Sequence, residues 1–161
     1  MVNRRYFFTG SAVAVAVAAV TTGATAATRG RYRIRLTEAE WRKRLSPAQF
    51  RTLRLDATDT PFKSPLLNEH RAGTFSCAGC ALPVFSSTAK YDSGTGWPSF
   101  FQPLPDATRT ESDMTLGFER AEVHCRRCGG HLGHVFDDGP APTGKRYCMN
   151  GTALHFTPGK G

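Results

Sequence analysis

Four of the five cysteines stand in two Cys-x-x-Cys pairs, Cys77-Ala78-Gly79-Cys80 and Cys125-Arg126-Arg127-Cys128, with 44 residues between them. Two thiolates from one such tight turn can bind a single ion while amides of the turn donate to the sulfurs. Two turns together supply the closed tetrahedral sulfur set that zinc favours. Such a set leaves no coordination position open, so its work is to tie two distant segments to each other. Two disulfides, a redox dithiol in one pair, and iron–sulfur ligation are the alternatives at this spacing. The expectation is one structural Zn2+ per chain, held by Cys77, Cys80, Cys125 and Cys128.

The chain around these turns has 161 residues, enough for one ordinary domain and an appendage. Thr37 reads as a helix cap with Glu40 as its reciprocal partner and Leu36 in the staple position; Trp41 and Leu45 follow on one stripe. Ser46-Pro47-Ala48-Gln49 repeats the signal: a cap, proline at the first helical position and Gln at the third. From Pro61 onward glycine and proline are frequent and the apolar runs short. They fall at 73–77, 82–85, 114–125, 132–136, 146–149 and 153–156. Met114, Leu116 and Phe118 alternate with polar or small residues, which predicts a strand with one buried face. The expected fold is mainly β, with antiparallel sheets after short N-terminal helices; a loop-rich domain held mostly by metal is the alternative.

The first 26 residues read as an export signal. Arg4-Arg5 precede an apolar run of only nine residues, Ala12 to Val20, and Ala24-Thr25-Ala26 offers a small-x-small cleavage point. A spanning helix needs about 20 apolar residues. The paired arginines followed by Tyr-Phe-Phe resemble the twin-arginine type of bacterial signal. The expectation is an exported, periplasmic protein, with a membrane anchor as the alternative if the signal stays uncleaved. A basic linker, 27–35, carries four arginines. Without these and Arg4-Arg5, 15 basic residues face 13 acidic ones over 36–161, the expected domain. The formal charge of +8 is therefore mostly outside the folded part, and nucleic acid is excluded as a partner.

Cys148 is the cysteine left over. A lone cysteine among apolar neighbours is by default a small buried hydrophobe. On a strand, however, Arg146, Cys148 and Asn150 share one face, and a guanidinium beside a sulfur favours thiolate. Upstream, His131, His134, Asp137 and Asp138 offer imidazoles and carboxylates. A single cysteine with histidines elsewhere is a candidate nucleophile.

Taken together, Cys77–Cys80, Tyr91-Asp92-Ser93-Gly94, Gly96-Trp97-Pro98-Ser99-Phe100, Cys125–Cys128, His131-Leu132-Gly133-His134-Val135-Phe136 and Arg146-Tyr147-Cys148-Met149-Asn150 resemble the peptide-methionine (R)-S-oxide reductases of the MsrB type. The resemblance runs from about Arg35 to Phe156. It implies two antiparallel sheets, an MsrB-like fold, and structural zinc in many members. It also implies Cys148 as nucleophile, and Trp97 against the substrate methyl group with Phe136 beside it. His131 and His134 would hold and protonate the sulfoxide oxygen, Asn150 and Arg146 would polarise the site, and Asp138 would orient the histidines. The implied substrate is methionine sulfoxide in oxidised proteins. Many members carry a resolving cysteine where this chain has Thr95. The resemblance then implies a one-cysteine enzyme, regenerated by an external thiol such as a thioredoxin-like partner, and a monomer.

Overall fold

The structure, a computed structural model, describes residues 32–159. The expected signal peptide and the linker up to residue 31 lie outside the described residues.

Two short helices open the described chain. Helix α1 (Glu38–Arg44) begins at a full capping box: the Thr37 hydroxyl accepts from the Glu40 N–H, and the Glu40 carboxylate accepts from the Thr37 N–H. Helix α2 (Pro47–Leu55) repeats the device with Ser46 and Gln49 and places proline in its first turn. It ends at Asp56 in a left-handed conformation. Trp41, Leu45, Phe50 and Leu53 point into the core. The linker's last residues also pack on the domain: Tyr32 is buried, and the Ile34 N–H donates to Arg127 O at 3.0 Å. None of the described helices is long and apolar enough to cross a membrane.

The rest is antiparallel sheet. Strands β1 (Gly73–Cys77), β2 (Pro83–Ser86) and β9 (Leu154–Pro158) form a three-stranded sheet ordered β2-β1-β9. A six-stranded sheet runs β3-β4-β8-β7-β6-β5. Its members are β3 (Lys90–Tyr91), β4 (Ser99–Phe100), β5 (Thr108–Asp113), β6 (Arg120–Cys125), β7 (His131–Phe136) and β8 (Arg146–Met149). Phe75 and Phe85 of the small sheet meet Phe100 of the large one. Phe85 stacks on Phe100 with centroids 4.3 Å apart, and Phe75 meets it edge-on at 5.0 Å. All three rings are fully buried, and rings of this size carry much of the apolar burial that joins the sheets.

One expected strand is absent. Met114, Leu116 and Phe118 are 57–61% exposed at the tip of the β5–β6 hairpin. Asp113 accepts the Thr115 N–H, the Gly117 N–H returns to Met114 O, and Gly117 takes a φ of +79°. Turn chemistry thus overrides an alternation only three apolar residues long. The pairing strand, β5, is mostly polar and carries no such alternation.

Candidate active site

The two Cys-x-x-Cys turns meet. Cys77 ends β1 and Cys125 ends β6, so the cluster joins the last residues of strands from the two different sheets. All four Sγ atoms lie within 4.8 Å of one another and all four residues are buried. Cys77 Sγ is 3.7 Å from Cys128 Sγ, and Cys80 Sγ is 3.5 Å from Cys125 Sγ. A disulfide needs about 2.05 Å. Four sulfurs around a tetrahedral zinc at about 2.3 Å stand roughly 3.8 Å apart, so the donor set fits zinc. Hydrogen bonds among the sulfurs lower the Cys80 and Cys125 thiols and raise those of Cys77 and Cys128. Only a bound cation lets such a set ionise throughout. Arg54 Nη1 donates to Cys128 O at 3.0 Å and Arg127 Nη1 to Cys80 O at 3.2 Å, which brings positive charge to both turns.

Cys148 stands apart from that cluster, on β8 of the six-stranded sheet. Its register partners are Ser99 on β4 and His134 on β7, and Glu122 on β6 is in turn the partner of His134. Ser99, Cys148, His134 and Glu122 therefore form one row across the sheet, on one face. The approach of β7 to β8 depends on Gly133, where a Cβ would stand 2.2 Å from Cys148 O. Thr95 Oγ1 lies 3.8 Å from Cys148 Sγ. The Thr95 hydroxyl joins Ser93 at 2.8 Å, Ser93 joins Ser99 at 2.7 Å, and Ser99 donates to Trp97 O at 3.1 Å. Burial pushes the Cys148 thiol up, while the Thr95 hydroxyl and the Arg146 charge pull it down without reversing the sign. Arg146 alone thus does not make the thiolate the resting form, as the sequence led one to expect.

His131 and His134 are three residues apart, which on a regular strand would turn them to opposite faces. A bulge removes the conflict. Val123 pairs with Gly133 and His124 with His131, so Leu132 is an extra residue in β7. The two imidazoles end 5.4 Å apart. Each has its own carboxylate, and neither is Asp138. The His131 Nδ1 contacts Glu122 Oε1, and the other Glu122 oxygen is 3.2 Å from His124 Nε2. His134 Nε2 is 3.0 Å from Asp113 Oδ2, which also pairs with Arg120 at 2.5 Å. Burial works against a charged Glu122, but the two imidazoles hold its carboxyl at about 2. His134 is lowered by burial, with Arg120 and His131 adding to the effect against Asp113.

Asp138 instead grips Arg146 with both oxygens, at 2.9 and 2.8 Å. The Arg146 guanidinium also lies 4.4 Å from the centroid of the Phe136 ring. The carboxylates that contact the histidines are Glu122 and Asp113 rather than the expected Asp138, and the sequence marked neither.

Trp97 and Asn150 continue β4 and β8 past the Ser99–Cys148 pair, on the same face by strand alternation. Asp59 locks both. Its N–H donates to Asn150 Oδ1 at 2.8 Å, its carbonyl accepts the Trp97 indole N–H at 2.9 Å, and its carboxylate accepts the Thr152 N–H at 2.8 Å. The half-buried indole is therefore an oriented apolar wall beside Cys148. No sequence pattern singled out Asp59.

Residues 45–158 match the SelR domain. The chain is 52% identical over 122 residues to a Bradyrhizobium diazoefficiens protein, peptide methionine sulfoxide reductase MsrB, covering 75% of this chain and 88% of that one. It is 51% identical over 123 residues to the protein of the same name from Thiobacillus denitrificans, covering 76% and 93%. Peptide methionine sulfoxide reductase B1, chloroplastic, of Arabidopsis thaliana is 48% identical over 120 residues, covering 74% and 59%.

Proposed function

The chain belongs to the MsrB family of peptide methionine sulfoxide reductases, and on that premise we propose that it reduces the (R)-sulfoxide of methionine in oxidised proteins through a sulfenic acid on Cys148. The observation that carries this reading is the placement of Cys148 as register partner of His134, on a different strand from the four clustered cysteines.

In the proposed reaction the Cys148 sulfur attacks the sulfoxide sulfur while the oxygen receives a proton. The attack forms an S–S bond. The sulfoxide S–O bond then breaks, and the hydroxyl passes to the Cys148 sulfur as the S–S bond breaks. This releases the thioether, its sulfur reduced by two electrons, and leaves Cys148 as Cys–SOH, two electrons more oxidised. The departing oxygen must be protonated, and imidazole is the side chain suited to that near neutral pH. His131 and His134 take this role. Trp97 and Phe136 flank the methyl group without competing for the hydrogen bonds of the sulfoxide oxygen. Arg146, held by Asp138, and Asn150, held by Asp59, polarise the site.

Cys77, Cys80, Cys125 and Cys128 would hold one zinc ion, which supplies structural cross-linking of the two sheets. Thr95 rather than a thiol lies beside Cys148, so the sulfenic acid calls for an external thiol reductant of thioredoxin-like type. Export through a twin-arginine-type signal would let a folded, metal-loaded domain reach the periplasm as a monomer.

Stereochemically pure sulfoxides of a blocked methionine test the reading. The wild type should reduce the R form only, and Cys148→Ser should lose turnover while keeping zinc and fold. Turnover by Cys148→Ser would overturn it.

A further inference from the structure

His134 is the imidazole in register with Cys148, and its far nitrogen, Nε2, is 3.0 Å from Asp113 Oδ2. Asp113 is anchored from both sides. Its Oδ1 accepts the Thr115 N–H at 2.9 Å, and its Oδ2 takes Arg120 at 2.5 Å. The side chains of His134 and Asp113 are only 12% and 10% exposed.

An ionised carboxylate only accepts hydrogen bonds, so the nitrogen facing it carries the proton. A neutral imidazole has one proton, and its other nitrogen then keeps a lone pair. For His134 that other nitrogen is Nδ1, the one next to the strand backbone whose Cα faces that of Cys148. We propose that Asp113 is a positioning residue for His134: by taking the Nε2–H it leaves Nδ1 to accept the thiol proton of Cys148. This rests on the reading of Cys148 as nucleophile.

The charge environment agrees with the geometry. Hydrogen bonds from Thr115 and His134 hold the Asp113 carboxyl well below its ordinary value, so it is ionised at neutral pH. Burial lowers His134, with Arg120 and His131 opposing its charge and Asp113 and Glu122 favouring it. Burial also keeps the Cys148 proton in place at rest. A half-buried thiol beside a neutral imidazole with an oriented third group follows the general logic of activated nucleophiles. The proton balance closes within the site. Cys148 gives its proton to His134 Nδ1, and the thiolate forms the bond to the sulfoxide sulfur. The same proton passes to the oxygen as the S–O bond breaks, and that hydroxyl ends on the Cys148 sulfur as the S–S bond breaks.

The test combines a tautomer measurement with kinetics. In wild-type protein the imidazole 15N spectrum of His134 should show the Nε2–H form. In Asp113→Asn the amide can donate to Nε2, so the proton should move to Nδ1 and kcat should fall about 100-fold, with KM within about twofold. Asp113→Glu should regain most of the rate. A wild-type Nδ1–H tautomer, or an Asp113→Asn enzyme with full kcat, overturns the proposal. If Asp113→Asn does not fold, the wild-type tautomer decides alone. Cys148→Ser separates the two levels: turnover in that variant sinks the nucleophile reading, whereas a dead Cys148→Ser beside a fully active Asp113→Asn sinks only the role of Asp113.

Discussion

The indole N–H of Trp97 donates to the backbone carbonyl of Asp59, 38 residues earlier in the chain, at 2.9 Å. The same residue's N–H reaches Asn150, so one short segment sets the position of two side chains on the face of Cys148.

The Asp59 carboxylate holds that segment through the Thr152 N–H. Asp59→Ala keeps both backbone contacts but frees the segment from Thr152. Losing a hydrogen bond to a charged acceptor costs about 2 kcal/mol. We expect that loss in chemical denaturation and a rise in KM of several-fold with a smaller change in kcat. An unchanged KM would show that Trp97 holds its orientation without this tether.

Thr95 Oγ1 lies 3.8 Å from Cys148 Sγ, close enough for a cysteine there to form a bond with small adjustment. Thr95→Cys should gain an internal disulfide after one turnover, detected as a loss of two free thiols by mass analysis. The wild type should show sulfenic acid on Cys148 and no such bond. A bridge from Cys148 to any of the four clustered cysteines in the wild type would contradict the one-cysteine scheme.

Metal removal should act on the fold before it acts on chemistry. Cys80→Ser breaks the sulfur set some distance from the Cys148 row. Metal analysis should show less than stoichiometric zinc, and the melting temperature should fall by on the order of 10 °C or more, given about 4 °C per kcal/mol for a domain of this size. A metal-free variant melting like the wild type would remove the structural role.

Glu122 makes stability depend on pH in a definite direction. Its folded value of about 2 lies below the ordinary 4.5. The stabilisation is therefore complete above about pH 4.5 and fades as pH falls toward 2. Glu122→Gln should cost on the order of 2 kcal/mol at pH 7, and the gap to the wild type should narrow steadily below pH 4.5. A gap independent of pH would show that shape, not charge, is what Glu122 contributes.

What the sequence made legible was local or pattern-bound. The capping boxes at Thr37 and Ser46 lie within three residues, and the structure has both. The two Cys-x-x-Cys turns declare their chemistry by spacing, and the four sulfurs converge. What it hid depended on tertiary contacts. Glu122, Asp113 and Asp59 meet His131, His134 and Asn150 across 9, 21 and 91 residues, and an isolated acid carries no mark of such a partner. Asp138 sits only four residues past His134 in sequence, yet the register sets it against Arg146 instead. The apolar alternation at Met114–Phe118 misled because exposed side chains at a hairpin tip can mimic a strand's period by chance.

Leu132 gives β7 a residue too many, and this decides which length changes the strand can survive. A chain lacking Leu132 would make His131 and His134 alternate residues of a plain strand, so both rings would still face the same way. Its loss would fall on the interior, where Leu132 is fully buried. A chain that kept Leu132 but straightened the strand would do the reverse, filling the interior while turning His131 through to the other side. Deletion and regularisation at one position thus separate two properties that no single side-chain replacement there can pull apart.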